Sequence, residues 1–331
     1  MTNPSPMAEV WRGPFLESVH SGHAVVCNAA GEILHAWGDP EAVILPRSSV
    51  KMIQALPLIE SGAAKSAGLT PRQLALACAS HEGAPLHAEA VEKWLAALDL
   101  HEADLRCGAH QPFGKKPREA LIAAGTSPCQ FHNNCSGKHA GFLTYTKHIN
   151  AGAEYVETDH PLQIAIREAF EDVTGLTSPG YGIDGCSAPN FASTLRGIGR
   201  AMAFFANARE DGPAREAAAY QLASAMRAHP DMVAGEGRAC TELMRAMDGK
   251  VAVKTGAEGV FIAILPEQGL GVALKAVDGA TRAAECAIAS ILVKLGALDP
   301  KHPAAIKRIQ PIEKNWRGIE TGQLRPAAAF L

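Results

Sequence analysis

Val251-Ala252-Val253-Lys254, Gly259-Val260-Phe261-Ile262-Ala263-Ile264 and Val272-Ala273-Leu274-Lys275-Ala276 are three β-prone runs within one short stretch. Gln268-Gly269-Leu270-Gly271 is the turn between the second and the third. Their position in the chain decides the fold. Strand signals occur before them only near the start: Val10-Trp11, Leu16-Glu17-Ser18-Val19, His23 to Cys27, and Ile33 to Trp37 after the turn Asn28-Ala29-Ala30-Gly31. Between the two groups the patterns are helical. Thr70-Pro71-Arg72-Gln73 supplies an N-cap, a proline at the first helical position and a capping-box glutamine, for a helix ending near Ala79-Ser80-His81. Further helices are expected over 85–99, 117–125, 138–149, from His160-Pro161 to Thr174, over 192–207, over 213–228 and, after the last strand, over 281–296.

Strands, many helices, strands, helix is not the alternation of a doubly wound parallel sheet. It predicts an α+β fold, with an antiparallel sheet from both chain ends, flanking helices and an inserted helical lobe. The expected organisation is a single catalytic domain, 1–331, with two lobes. Residues 1–45 and 250–331 form the sheet lobe and 46–249 the mainly helical one, with a cleft where they meet. The tail, 303–331, shows no clear period and is expected to pack across the surface.

The 331 residues are 47% hydrophobic, enough for a substantial core, and the net charge is -3. That balance argues against a nucleic-acid or membrane-surface partner. The first residues lack a basic segment followed by an apolar run, and no apolar stretch is long enough to span a bilayer. A cytoplasmic protein is expected. Its eight cysteines are scattered, as for buried thiols with a few candidate metal ligands.

Chemistry-bearing residues cluster at the ends of these elements. In Arg47-Ser48-Ser49-Val50-Lys51, Ser48 stands at a helix start with Lys51 three residues on, the Ser-x-x-Lys arrangement in which an amine activates a hydroxyl. The plain alternative is an N-cap serine followed by a solvated lysine. Lys254-Thr255-Gly256 lies at a strand end and matches another signature of serine hydrolases of the penicillin-recognising kind. The two together are far more specific than either alone. Cys78-Ala79-Ser80-His81-Glu82-Gly83 crowds four reactive groups at a helix end. Asn133-Asn134-Cys135-Ser136-Gly137-Lys138-His139-Ala140-Gly141 leads into a helix whose first amides can hold an anion. Gly137-Lys138 lacks the earlier glycine of a phosphate loop, so a nucleotide site is rejected. Tyr181-Gly182-Ile183-Asp184-Gly185-Cys186-Ser187-Ala188-Pro189 is a turn-rich loop. Its Cys186 can meet Cys135, either as part of a zinc site or as a buried pair of free thiols.

Taken together these segments, with Cys107-Gly108-Ala109-His110, resemble the rhizobial-type (class 3) L-asparaginases of the asparaginase II family. The match runs over roughly residues 10–290. The family is similar in fold to serine β-lactamases, penicillin-binding proteins and serine glutaminases. The resemblance implies hydrolysis of L-asparagine to L-aspartate and ammonia by a homodimer. It implies Ser48 as nucleophile, Lys51 as its base, and Ser80 with Lys254 as a second pair. It also implies a zinc ion on Cys135, Lys138 and Cys186, organising the pocket. Arg47, His139, Asp184 and Glu258 are candidates to hold the α-carboxylate and α-ammonium of the substrate. A related serine amidohydrolase such as a glutaminase, a β-lactam-type acyl enzyme, or a non-catalytic amino-acid binder are the alternatives.

Overall fold

A computed structural model describes residues 3–330 and divides them into two compact units. The first comprises the chain up to Ser49, Ser193–Asn207 and Glu242 onward. It is built on an eight-stranded antiparallel sheet. In chain order the strands are β1 (Ser5–Arg12), β2 (Phe15–Cys27), β3 (Ile33–Trp37), β4 (Ala252–Thr255), β5 (Val260–Leu265), β6 (Leu270–Ala276), β7 (Ile312–Lys314) and β8 (Glu320–Pro326). Across the sheet they run β7-β8-β1-β2-β6-β5-β4, and β3 pairs with the C-terminal half of β2. Both ends of the chain therefore meet in one sheet, as expected. β6 joins them, with Gly271↔Cys27 through Ala276↔Gly22 against β2 and Leu270↔Leu265 through Lys275↔Val260 against β5.

Every residue of β5 is buried, which requires cover on both faces of the sheet. The Leu195–Asn207 and Thr281–Lys294 helices both pack against β5 and β6. The first lies unusually close. A Cβ at Gly271 would stand 2.1 Å from the Ala203 amide nitrogen and 2.3 Å from the Gly199 carbonyl oxygen, so only glycine permits the backbone contact.

The tail departs from expectation. It forms a helix, Pro303–Ile309, and then the β7–β8 hairpin, which pairs with β1 from Ala8↔Pro326 to Arg12↔Gly322. Most β8 side chains are exposed or half-exposed, so the strand carries little apolar alternation for a reader of the sequence to find.

The second unit, Val50–Ala192 and Ala208–Thr241, is mainly helical. Its centre is the Ser136–His148 helix, buried over most of its length. The Leu56–Glu60, Pro71–Ala77, Pro85–Ala96 and Pro161–Thr174 helices pack around it. The expected Thr70 capping box is present, with the Thr70 hydroxyl accepting from the Gln73 amide. His160 caps the Pro161–Thr174 helix, its ring nitrogen accepting from the Leu162 amide at 3.1 Å. Ser193–Asn207, inside the 46–249 stretch assigned to the helical lobe, belongs to the sheet unit. The fold class is the expected one, α+β with an antiparallel sheet flanked by helices, consistent with a serine β-lactamase-like architecture.

Candidate active site

In the sheet unit, Ser48 is half-buried within a 3-10 turn, Arg47–Val50, that follows the short Val43–Ile44 strand. Pro46 breaks the strand, and Ser49 ties the turn by donating its hydroxyl to the Pro46 carbonyl at 2.8 Å. Arg47 adopts φ +54°, a left-handed conformation that a side chain normally avoids. Such strain persists only where the surroundings impose it, and it often marks functional positions. The β4 end abuts this same turn. A Cβ at Gly256 would stand 2.7 Å from the Pro46 carbonyl oxygen and 3.2 Å from the Ser49 amide nitrogen. The Lys-Thr-Gly segment and the serine turn are therefore in direct contact, and the glycine is what allows it. Lys254 is fully buried and donates to the Thr255 carbonyl at 2.7 Å. Glu258 is exposed in the following turn, with φ +58°.

The helical unit gathers the remaining candidates. Lys51 begins the Lys51–Gln54 helix and is buried. Its amine nitrogen lies within hydrogen-bond reach of three groups: the Ala79 carbonyl, Ser80 Oγ at 3.1 Å and Cys135 Sγ at 3.1 Å. Lys51 thus hydrogen-bonds Ser80, a serine of the other expected pair, Ser80 with Lys254.

Ser80 follows the C-terminus of the Pro71–Ala77 helix, and its amide donates to the Val233 carbonyl at 2.9 Å. His81 anchors this segment to the next. Its amide donates to the Asn134 carbonyl, its Nδ1 accepts from the Gly83 amide and its Nε2 lies 3.0 Å from Ser136 Oγ. With Nδ1 accepting, the proton is on Nε2. Burial, reinforced by the charges around it, pushes the ring well below the usual histidine range and keeps it neutral. Asn133 performs the same task on the other side. Its Oδ1 accepts from the Cys135 amide at 2.8 Å, while its Nδ2 donates to the carbonyls of Cys107 and Gly108.

Cys186 arrives on a hairpin loop. Tyr181–Ile183 pairs with Pro189–Phe191, and the tip is closed by Asp184, whose carbonyl accepts from the Ser187 amide at 2.9 Å. Ser187 takes φ +70° beside the thiol. Lys138 Nζ lies 3.1 Å from Cys186 Sγ, and both are buried. A hydrogen bond from Cys135, with help from the Lys138 charge, overcomes burial and holds Cys186 well below the usual thiol range. The same hydrogen bond, then burial, pushes Cys135 up to about 12. Burial alone would lower Lys138, but its sulfur neighbours, Cys186 foremost, reverse this and raise it above the usual lysine value. Two sulfurs and an amine are zinc-type donors, but only Cys186 is favoured in its metal-binding, deprotonated form, since Cys135 and Lys138 are both pushed towards keeping their protons. Among the described residues no group of three or more His, Cys, Asp or Glu gathers to hold a metal, so such a site depends on lysine as its third ligand.

Two substrate-binding candidates sit beside this cluster in the same unit. Asp184 is half-buried, its Oδ1 accepting from the Gly185 amide at 2.7 Å. His139 is buried, with Nδ1 2.8 Å from the Tyr155 hydroxyl. Its Nε2 has no hydrogen-bond partner. The sequence did not single out Asn134, Ala79 as an acceptor, or Tyr155. Their roles come from backbone carbonyls and long-range contacts that no spacing reveals.

Among solved structures, Mglu in its native form is similar at 13% identity, with a TM-score of 0.46 over 89% of this chain and 69% of that one. A β-lactamase from Mycobacterium bovis is similar at 14% identity, with a TM-score of 0.38 over 84% of this chain and 95% of that one. Likenesses this distant carry no argument about activity. No curated protein matches in sequence. A family model described as L-asparaginase II matches residues 8–326. With nearly its whole length matched, and with a buried serine–lysine contact in its helical unit, the chain belongs to the L-asparaginase II family and is an amidohydrolase of the serine-hydrolase type.

Proposed function

We propose that this enzyme hydrolyses the side-chain amide of L-asparagine, giving L-aspartate and ammonia. The observation that carries the chemistry is Lys51, held 3.1 Å from Ser80 Oγ in a buried site. What supports asparagine over glutamine is family membership. In the reading we favour, Ser48 is the nucleophile and Lys51, three residues on, takes its proton. The Ser48 oxygen bonds to the amide carbon, and backbone amides near the helix start receive the developing oxyanion. Lys51 passes the proton through Ser80 to the leaving nitrogen, the C–N bond breaks, and ammonia departs. Water then attacks the β-aspartyl ester, Lys51 takes its proton, and Ser48 is regenerated as aspartate leaves.

Lys254 is assigned to the same serine chemistry. Arg47, His139, Asp184 and Glu258 are the candidates for the charged groups of the substrate. Cys135, Lys138 and Cys186 would hold zinc, which when bound supplies a fixed positive charge and rigidity. A homodimer in the cytoplasm completes the reading, on the strength of the family resemblance.

Ammonia release from asparagine and from glutamine tests it on the parent, Ser48→Ala and Ser80→Ala. We expect asparagine to be the better substrate. Ser48→Ala should lose at least about 1,000-fold in kcat, and Ser80→Ala about 100-fold. Parent-like turnover by Ser48→Ala would remove it as nucleophile, and faster glutamine turnover would make the enzyme a glutaminase.

A further inference from the structure

His139 is fully buried on the Ser136–His148 helix. Its amide donates to the Cys135 carbonyl at 3.0 Å, and residues four apart leave a helix on the same side. Cys135 Sγ is 3.1 Å from Lys51 Nζ, which lies 3.1 Å from Ser80 Oγ. The imidazole therefore shares the neighbourhood of the serine–lysine contact, and all four residues belong to the helical unit. Phe142 and Tyr155 pack against it, each with its ring centroid 5.5 Å away. One ring nitrogen, Nδ1, lies 2.8 Å from the Tyr155 hydroxyl. The other, Nε2, is buried without a hydrogen-bond partner, and such a group in a native fold calls for an explanation.

Tyr155 decides what that nitrogen carries. The tyrosine is itself fully buried, and its hydroxyl oxygen accepts from the Arg106 amide at 2.7 Å. The hydroxyl still has its own proton to donate, and His139 Nδ1 is the acceptor within reach. A neutral ring whose Nδ1 accepts carries its proton on Nε2. The opposite tautomer would leave the buried hydroxyl proton unpaired as well as the Nε2 lone pair. The hydrogen bonds therefore run one way, from the Arg106 amide through the Tyr155 hydroxyl to the ring, and end on an N–H donor.

We propose that Tyr155 is a positioning residue that fixes His139 as an Nε2–H donor, and that this donor takes the α-carboxylate of the amino-acid substrate. This rests on the functional reading above. An N–H donor suits an anion and cannot accept from the α-ammonium, which falls instead to a carboxylate side chain. Of the acceptors on an amino-acid amide, the charged carboxylate makes the strongest bond with such a donor.

The tautomer is read from the ring nitrogens of 15N-histidine-labelled protein, with His139 assigned through His139→Leu. We expect a bare Nδ1 and a protonated Nε2 in the ligand-free parent. The Nε2–H signal should move when L-aspartate, the product, is added to saturation. Tyr155→Phe keeps the aromatic ring and removes the hydroxyl, so the Nδ1-protonated tautomer should appear. In steady-state ammonia release, Tyr155→Phe should raise KM for asparagine about tenfold, with kcat within about threefold of the parent. Added to His139→Leu, the same change should raise KM by less than about twofold, because the hydroxyl then has no ring to orient. Thermal midpoints confirm that each variant is folded. A proton on Nδ1 in the parent would overturn the proposal, as would an Nε2–H signal that ignores saturating aspartate. So would a Tyr155→Phe defect of equal size in the His139→Leu background, or one confined to kcat at unchanged KM. If the parent releases no ammonia from asparagine, the substrate reading fails instead, while the tautomer of the ligand-free ring still decides the role of Tyr155.

Discussion

Gly256 shows how one absent side chain can place a catalytic motif. Its φ is not in the left-handed region, so conformational freedom is not what the position needs. Space is, because any Cβ would meet the Pro46 carbonyl oxygen at 2.7 Å. Gly256→Ala should destabilise the protein by about 1–3 kcal/mol, read as a lower denaturant midpoint at unchanged slope. It should also displace the turn that carries Ser48, so activity should fall by more than the unfolded fraction accounts for. An alanine variant with parent stability and turnover would show that the contact is slack. The Lys254-Thr255-Gly256 motif was legible in the sequence, but the reason for its glycine was not. Lys51 teaches the same lesson. Its spacing from Ser48 is visible in one dimension, yet its hydrogen bonds go to residues 28, 29 and 84 positions away.

At the scale of elements, local chemistry proved readable wherever it satisfies backbone groups locally. The helix opened by Thr70 and Pro71 positions Ser80 just beyond its C-terminus. Thr70→Ala should cost about 1 kcal/mol in chemical denaturation, as for other exposed caps, and leave KM nearly unchanged. The C-terminal helix was missed because its anchor is non-local. Arg308, with a side chain only 2% exposed, pairs with Glu242 at 2.5 Å and lies 3.7 Å from Glu285. Arg308→Ala leaves two half-buried carboxylates without that partner, and should cost about 3 kcal/mol in the same measurement. A loss below about 0.5 kcal/mol would mean that Lys307, 2.9 Å from Glu242, compensates. The β7–β8 hairpin escaped notice for a related reason: β8 is held by backbone ladders to β7 and β1 while only two of its seven residues are buried.

For the molecule as a whole, three buried histidines contribute to the response to acid. His81, His87 and His139 are all held below the ordinary value of 6.5, in each case chiefly by burial. The folded chain keeps them neutral, while the unfolded chain protonates them once the pH falls below about 6.5. Their neutral burial is therefore without penalty above that pH. Below it, stability should fall by up to about 1.4 kcal/mol per pH unit for each histidine. Denaturant titrations between pH 8 and pH 5 check this, and a flat profile would refute it. The sequence alone determined which residues could be chemical and which runs could be strands or helices, because periodicity, capping and reactive-group spacing act over a few residues. It also determined the family, since the matching segments lie in order along the chain. Only the tertiary structure decided that Lys51 hydrogen-bonds Ser80, how the tail completes the sheet and that Cys135 lies beside Lys51. Those outcomes depend on burial and on hydrogen-bond partners far apart in sequence, and no local pattern encodes them.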